Sequence, residues 1–144
     1  MPTVNRTALV RHTPQQMFDL VNDFERYPEF LPGCRRARLL EHDADHLIGE
    51  MTLGRAGVEQ TITTRNDLYA PERIELSLVK GPFKRLDGRW KFITMGENVC
   101  KVSLEMDFEF SSRLLGMAFG KVFQQIAGQQ VDAFTRRADE LYGR

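Results

Sequence analysis

Residues 101–110 read KVSLEMDFEF, and this stretch decides the fold. Val102, Leu104, Met106, Phe108 and Phe110 alternate with Lys101, Ser103, Glu105, Asp107 and Glu109. Successive side chains of a strand point to opposite faces, so the alternation predicts one greasy and one wet face, as in an antiparallel strand lying over a core. On this reading Glu105, Asp107 and Glu109 are a solvated sheet face, not a catalytic cluster. Directly afterwards Ser111-Ser112 offers a helix N-cap, and the period changes. Leu115, Phe119, Val122 and Ile126 follow at separations of four, three and four, one stripe of a helix that runs nearly to Tyr142. A half-greasy strand feeding a striped helix predicts a sheet that grips its C-terminal helix.

Working upstream, the period of two extends back to Cys34. It is broken by turn formers at His42-Asp43-Ala44-Asp45, Gly54 to Gly57, Ala70-Pro71, Gly81-Pro82 and Gly96-Glu97-Asn98, which divide the segment into six strands. Connections this short join only antiparallel neighbours, so the six form a meander. Residues 3–11 read as a further strand, with Val4, Ala8 and Val10 on one side. Thr13-Pro14-Gln15-Gln16 is a capping box with proline at the first helical position, and the helix it starts runs to Asn22. Asp23 to Tyr27 allow one more short turn before Pro28 and Pro32 stop it. The order is α+β: a strand, two short helices, six strands and a long helix, a helix-grip fold in one domain over residues 1–144.

Twenty basic residues balance twenty acidic ones, so any contact with nucleic acid or an anionic surface must come from a local patch. Cys34 and Cys100 lack metal or redox spacing, and Met1-Pro2-Thr3 does not open a signal segment, which together predict a cytoplasmic protein. No apolar run approaches the roughly 20 residues that span a bilayer, so membrane contact is expected to be peripheral.

The sequence offers little for catalysis. His42 and His46, with Asp43 and Asp45 between them, have the composition of metal ligands, but a polar hairpin turn explains them and no metal is expected. His12 has no visible partner, and no nucleophile elbow, phosphate loop or dinucleotide fingerprint occurs. The aromatic residues say more. Phe24, Tyr27, Phe30, Phe83, Trp90, Phe92, Phe108, Phe119, Phe123 and Phe134 fall in the two-helix corner, the inner sheet positions and the last helix. Core packing accounts for most of them. Gly116 and Gly120 strip side chains from one helix stripe, which either brings helix and sheet together or leaves room for a guest. Between Val58 and Leu68 the inward positions include Gln60, Thr64 and Asn66 beside Ile62. These polar groups either meet water at an edge or fix the polar head of an apolar ligand.

Several motifs carry a family resemblance. Tyr27-Pro28-Glu29-Phe30-Leu31-Pro32-Gly33-Cys34, Thr63-Thr64-Arg65-Asn66, Gly81-Pro82-Phe83-Lys84, Gly88-Arg89-Trp90-Lys91-Phe92, Asp107-Phe108-Glu109-Phe110 and Ala118-Phe119-Gly120-Lys121-Val122-Phe123 occur in order over almost the whole chain. In these the sequence resembles the coenzyme Q-binding members of the START-like superfamily, also called polyketide cyclase/dehydrase, and within them a bacterial ribosome-association toxin branch. The resemblance implies a tunnel for ubiquinone or another polyprenyl lipid and no redox cofactor of its own. The superfamily also includes enzymes, but the cyclase label is an analogy of fold, and without a convergent acid, base or nucleophile in the sequence no enzymatic activity is expected.

On that reading apolar walls come from Phe24, Tyr27, Phe30, Leu31, Ile62, Phe83, Trp90, Phe92, Met106, Phe108, Phe119, Val122, Phe123 and Ile126. Gln60, Thr64 and Asn66 address the quinone oxygens. The mitochondrial side of the family implies a quinone chaperone that supports respiration. The toxin side implies binding to the large ribosomal subunit, a block on subunit association and an antitoxin partner. For that role Arg35, Arg36 and Arg38, with Lys80, Lys84, Arg85, Arg89 and Lys91, are the candidate phosphate contacts.

Overall fold

The first strand pairs with the last. In the computed structural model, which describes residues 3–55 and 57–143, β1 (Thr3–Val10) runs antiparallel to β7 (Val99–Phe110), from Thr3 opposite Asp107 to Val10 opposite Cys100. Met1, Pro2, Arg144 and Ala56 of the expected Gly54–Gly57 turn lie outside the described residues. The meander between them consists of β2 (Cys34–His42), β3 (His46–Arg55), β4 (Val58–Tyr69), β5 (Arg73–Lys80) and β6 (Phe83–Gly96). The result is one seven-stranded antiparallel sheet in the order β1-β7-β6-β5-β4-β3-β2, with β1 and β2 as its edges.

After β1 comes helix α1 (Pro14–Asn22), whose capping box is complete: the Gln16 amide donates to the Thr13 hydroxyl at 3.1 Å, and the Thr13 amide donates to Gln16 Oε1 at 2.9 Å. A 3₁₀ helix, Phe24–Glu29, follows, and it runs through Pro28, which was expected to stop it: a tight helix of this length has no long ladder for the missing amide to break. At the other end the expected single helix is two: α2 (Arg113–Gly128) and α3 (Gln130–Tyr142). The separation occurs at Gln129, whose amide turns back to the carbonyls of Gln125 and Ile126. Gly128, a weak helix former, faces Arg6 of β1, so that a Cβ there would lie 3.2 Å from the guanidinium. The apolar stripe passes the bend intact, since Phe119, Phe123, Ile126, Val131, Phe134 and Ala138 are all buried.

The alternation read in the sequence is the burial observed. Val102, Leu104, Met106 and Phe108 of β7 are buried under the helices, whereas Glu105 and Glu109 face outward to Arg89 and Lys84. Gly116 and Gly120 answer the question their spacing raised: both lie against the Phe110 ring, which would be 3.6 Å and 3.4 Å from added Cβ atoms. They bring helix and sheet together.

Gly33 fixes the corner before β2. It sits at φ +80°, a Cβ there would fall 2.5 Å from Ile126 Cδ1, and its carbonyl accepts from the Gly54 amide at 2.9 Å. Gly33→Ala is therefore expected to destabilise the protein by about 2–4 kcal/mol, from left-handed strain and overpacking together. Equilibrium urea unfolding of the two proteins checks this.

Candidate functional site

Between the concave face of the sheet, the 3₁₀ helix and the α2–α3 bend lies a cavity of about 50 Å³. Its walls are Phe24 and Tyr27 from the 3₁₀ helix, Met51 and Leu53 from β3, Ile62, Thr64 and Asn66 from β4, Leu76 from β5, Leu86, Asp87 and Trp90 from β6, Met106 from β7, and Phe123, Ala127 and Gln130 from the helices. Phe24 is set against β3 because Gly49 has no side chain there; a Cβ would meet the ring at 2.5 Å. The β5–β6 ladder ends at Ser77 opposite Asp87. Asp87 is exposed yet borders the cavity, which therefore lies close to the surface beside the end of this ladder.

The polar groups of the cavity are few. The buried Thr64 hydroxyl donates to Asn66 Oδ1 at 3.1 Å, and Gln130 adds an amide from α3. The Tyr27 hydroxyl donates to the Val21 carbonyl, and burial pushes its pKa far above the usual phenol range, so it stays protonated and is no base. Among the described residues the cavity walls bring together no acid, base and nucleophile.

Of the side chains expected to wall a tunnel, Phe24, Tyr27, Ile62, Thr64, Asn66, Trp90, Met106 and Phe123 meet around this cavity. The others do not reach it. Phe83, Phe108 and Phe119 pack on Phe123 with ring centroids 4.8–5.9 Å away, and so fill space that the expectation left open. Phe92 lies against Trp90 and Phe18, while Phe30 is capped by the Arg137 guanidinium at 5.0 Å. Leu31 and Ile126 are core residues, and Val122 is half-buried against that core. Gln60 is half-buried outside the cavity, bordering a surface groove with Leu115 and Pro82. Met51, Leu53, Leu76, Leu86, Asp87, Ala127 and Gln130 were not anticipated; the inward parity of β3 and β5 is the signal that marks Met51, Leu53 and Leu76.

The cavity is also narrower than a lipid tunnel. It has room for a few waters, against roughly 300–1,000 Å³ for a small-molecule site.

The candidate phosphate contacts do not form one patch. Arg35, Arg36 and Arg38 lie on β2, an edge strand, whereas Lys84 and Arg85 lie on β6, with β3, β4 and β5 between. A bulge between Cys34 and Arg36 turns Arg35 and Arg36 both to solvent. Arg35 meets Glu59 at 3.5 Å and Arg38 meets Glu50 at 3.3 Å, whereas Arg36 makes no ion pair among the described residues. Pro28, Ala37 and Thr52 complete a shallow groove beside the three arginines. Lys84 and Arg85 are held by Glu109 and Asp87.

The His42–His46 turn gathers no metal-binding group among the described residues. Asp43 accepts from the amides of Asp45 and His46, and the His46 ring lies between Glu41 at 2.5 Å and Asp43 at 3.0 Å. His12, without a partner in the sequence, meets Asp139 of α3 at 2.8 Å. Cys34 and Cys100 are free and buried, and burial pushes both thiols up to about 11.

Three comparisons bear on this geometry. Residues 10–135 match the family model described as polyketide cyclase / dehydrase and lipid transport. The ribosome association toxin RatA of Vibrio cholerae is 48% identical over 143 residues, covering 99% of both chains. A more distant relative, the mitochondrial coenzyme Q-binding protein coq10 of Schizosaccharomyces pombe, is 25% identical over 92% of this chain and 84% of its own. A START superfamily protein from Mycobacterium smegmatis shares the fold, with a TM-score of 0.79 at 19% identity over 96% of this chain and 98% of that one.

His46 generates a pH prediction. Its hydrogen bond to Glu41, opposed by desolvation and helped by the charge of Asp43, holds its pKa above the usual imidazole value. The stabilisation is therefore full below about pH 6.5 and lost as pH rises through the folded-state value. His46→Asn should lower the melting temperature more at about pH 5.5 than at about pH 8.5, as read by circular dichroism melts.

Proposed function

The chain belongs to the polyketide cyclase / dehydrase and lipid transport family, and within it we propose that it acts as a ribosome-associating protein of the RatA kind. The observation that carries this reading is the 48% identity with the Vibrio cholerae toxin, end to end in both chains. The interior supports it from the other side. A cavity of about 50 Å³ does not accommodate a prenyl tail in this conformation, which moves the weight of the function to the surface.

The β2 edge supplies the chemistry for RNA phosphates. Arg36 makes no ion pair among the described residues, and the pairs of Arg35 and Arg38 are solvent-exposed. Such exposed pairs are worth about 0–1 kcal/mol, so a phosphate, which accepts two parallel bonds from a guanidinium, displaces the carboxylate at little cost. The neutral net charge leaves long-range attraction small, and the contact depends on these side chains.

Co-sedimentation with large ribosomal subunits tests the reading. Binding should fall as salt rises, with a log–log slope of about two to three for three phosphate contacts, and Arg35→Glu, Arg36→Glu and Arg38→Glu combined should abolish it. Absence of co-sedimentation, or binding indifferent to both salt and the triple variant, contradicts it.

A second reading is favoured by the Thr64–Asn66 pair and Gln130 on otherwise apolar walls: the cavity opens around the ring of ubiquinone or a related polyprenyl lipid. Opening must displace aromatic side chains, each worth about 1.5–3 kcal/mol of burial, while each methylene of the tail contributes about 0.8 kcal/mol. A few isoprene units therefore suffice to offset the change. Trp90, the single tryptophan, is in the wall and reports on it. Short-chain ubiquinone should quench its fluorescence saturably, and Asn66→Leu should weaken that binding. Unchanged Trp90 emission, together with no isoprenoid in the native mass spectrum of the purified protein, excludes the second reading.

A further inference from the structure

The start of α2 carries apolar side chains that no other element covers. Leu114 and Met117 are 75% and 77% exposed, the highest values among the large apolar residues. Ala118 and Lys121 continue the same face at helical spacing, and both are exposed. The helix contains no aspartate or glutamate; its charged residues are Arg113 and Lys121, and neither makes an ion pair among the described residues.

The β5–β6 turn abuts this end. Leu115 borders one groove with Lys80, Gly81 and Pro82, and the Ser111 amide donates to the Pro82 carbonyl at 3.0 Å. Lys80 likewise makes no ion pair among the described residues, and its neighbour Val79 is 54% exposed. Of the acids bordering this end, Glu50 is paired with Arg38 and Glu109 with Lys84. The turn and the helix thus present apolar side chains flanked by unmatched positive charge.

We propose that this end, α2 from Arg113 to Lys121 with the β5–β6 turn, is a docking surface for an anionic lipid bilayer. Exposed Leu and Met side chains gain from an acyl boundary, and lysines and arginines at their rim meet anionic headgroups. The unmatched positive charge speaks against a second copy of the chain as occupant, because the face would repel itself. RNA would answer the charge but not the leucine and methionine. No helix among the described residues is long and apolar enough to cross a membrane, so the contact is peripheral.

Flotation of the full chain with vesicles tests the proposal, using phosphatidylcholine containing about 30% phosphatidylglycerol against phosphatidylcholine alone. The protein should float with the anionic vesicles. Leu114→Asp with Met117→Asp should weaken this at least about tenfold, and Arg113→Glu with Lys121→Glu should reduce it to the level of the neutral vesicles. All four positions are exposed, and circular dichroism verifies that the variants stay folded. Ribosome co-sedimentation, assigned to β2, should be the same for Leu114→Asp with Met117→Asp as for the wild type. Failure to float, equal flotation with both vesicles, or an unaffected apolar double variant overturns the proposal. So does a dimer in analytical ultracentrifugation that the double variant abolishes, which gives the face to a second copy. Loss of ribosome co-sedimentation in that variant gives it to the ribosome instead.

Discussion

Phe123 carries the contact between helix and sheet. From α2 it reaches the concave face, where its ring lies 5.0 Å from Phe83 and 4.8 Å from Phe108, both edge-on. Such pairs contribute about 0.5–1.5 kcal/mol each beyond the burial itself. What space remains lies past Phe123, toward Asn66 and Trp90. There Trp90 is held edge-on by Phe134, 5.2 Å away, and Tyr27 by the same ring at 5.4 Å. The cavity is thus the gap between two aromatic clusters, one fastened by α2 and the other by α3.

Where the chemistry is local, the sequence was legible. The alternation of residues 101–110, the capping box at Thr13 and the turns between strands depend on neighbours within a few residues, and each is present in the structure. The bend at Gln129 was not readable, because the apolar stripe continues across it and the close approach to Gly128 comes from Arg6. Which aromatics fill space and which border it was likewise hidden. Phe108 shares the inward parity of the wall residue Met106, and Phe119 lies one turn from the wall residue Phe123 on the same helix; each differs only in what stands opposite it, while a bulge between Phe83 and Arg85 turns Phe83 inward out of step with Leu86 and Trp90. Gln60 shares parity with Thr64 and Asn66 but sits nearer the strand end, beyond the cavity. The basic residues separated for a related reason: sheet order places three strands between β2 and β6.

The β2 edge shows how one device serves two ends. An edge strand with unpaired amides invites another strand, and bulges with outward charges are the usual defence. Here the bulges between Cys34 and Arg36 and between Leu39 and Glu41 interrupt the edge, and the arginines make it hydrophilic. The same arrangement gives a line of guanidinium groups on a firm backbone beside a shallow groove. Solubility and recognition of phosphate ask for the same side chains at this place.

The pairing of β1 with β7 also governs when the molecule can form. Thr3 and Asp107, joined by a hydrogen bond, are 104 residues apart in the chain, and His12 and Asp139 are 127 apart. At about 5–20 residues per second of synthesis, β1 waits roughly 5–20 s for its partner strand to be made. Through that interval the nascent polypeptide holds a growing meander whose β1-side border is unoccupied, and closure awaits the synthesis of β7.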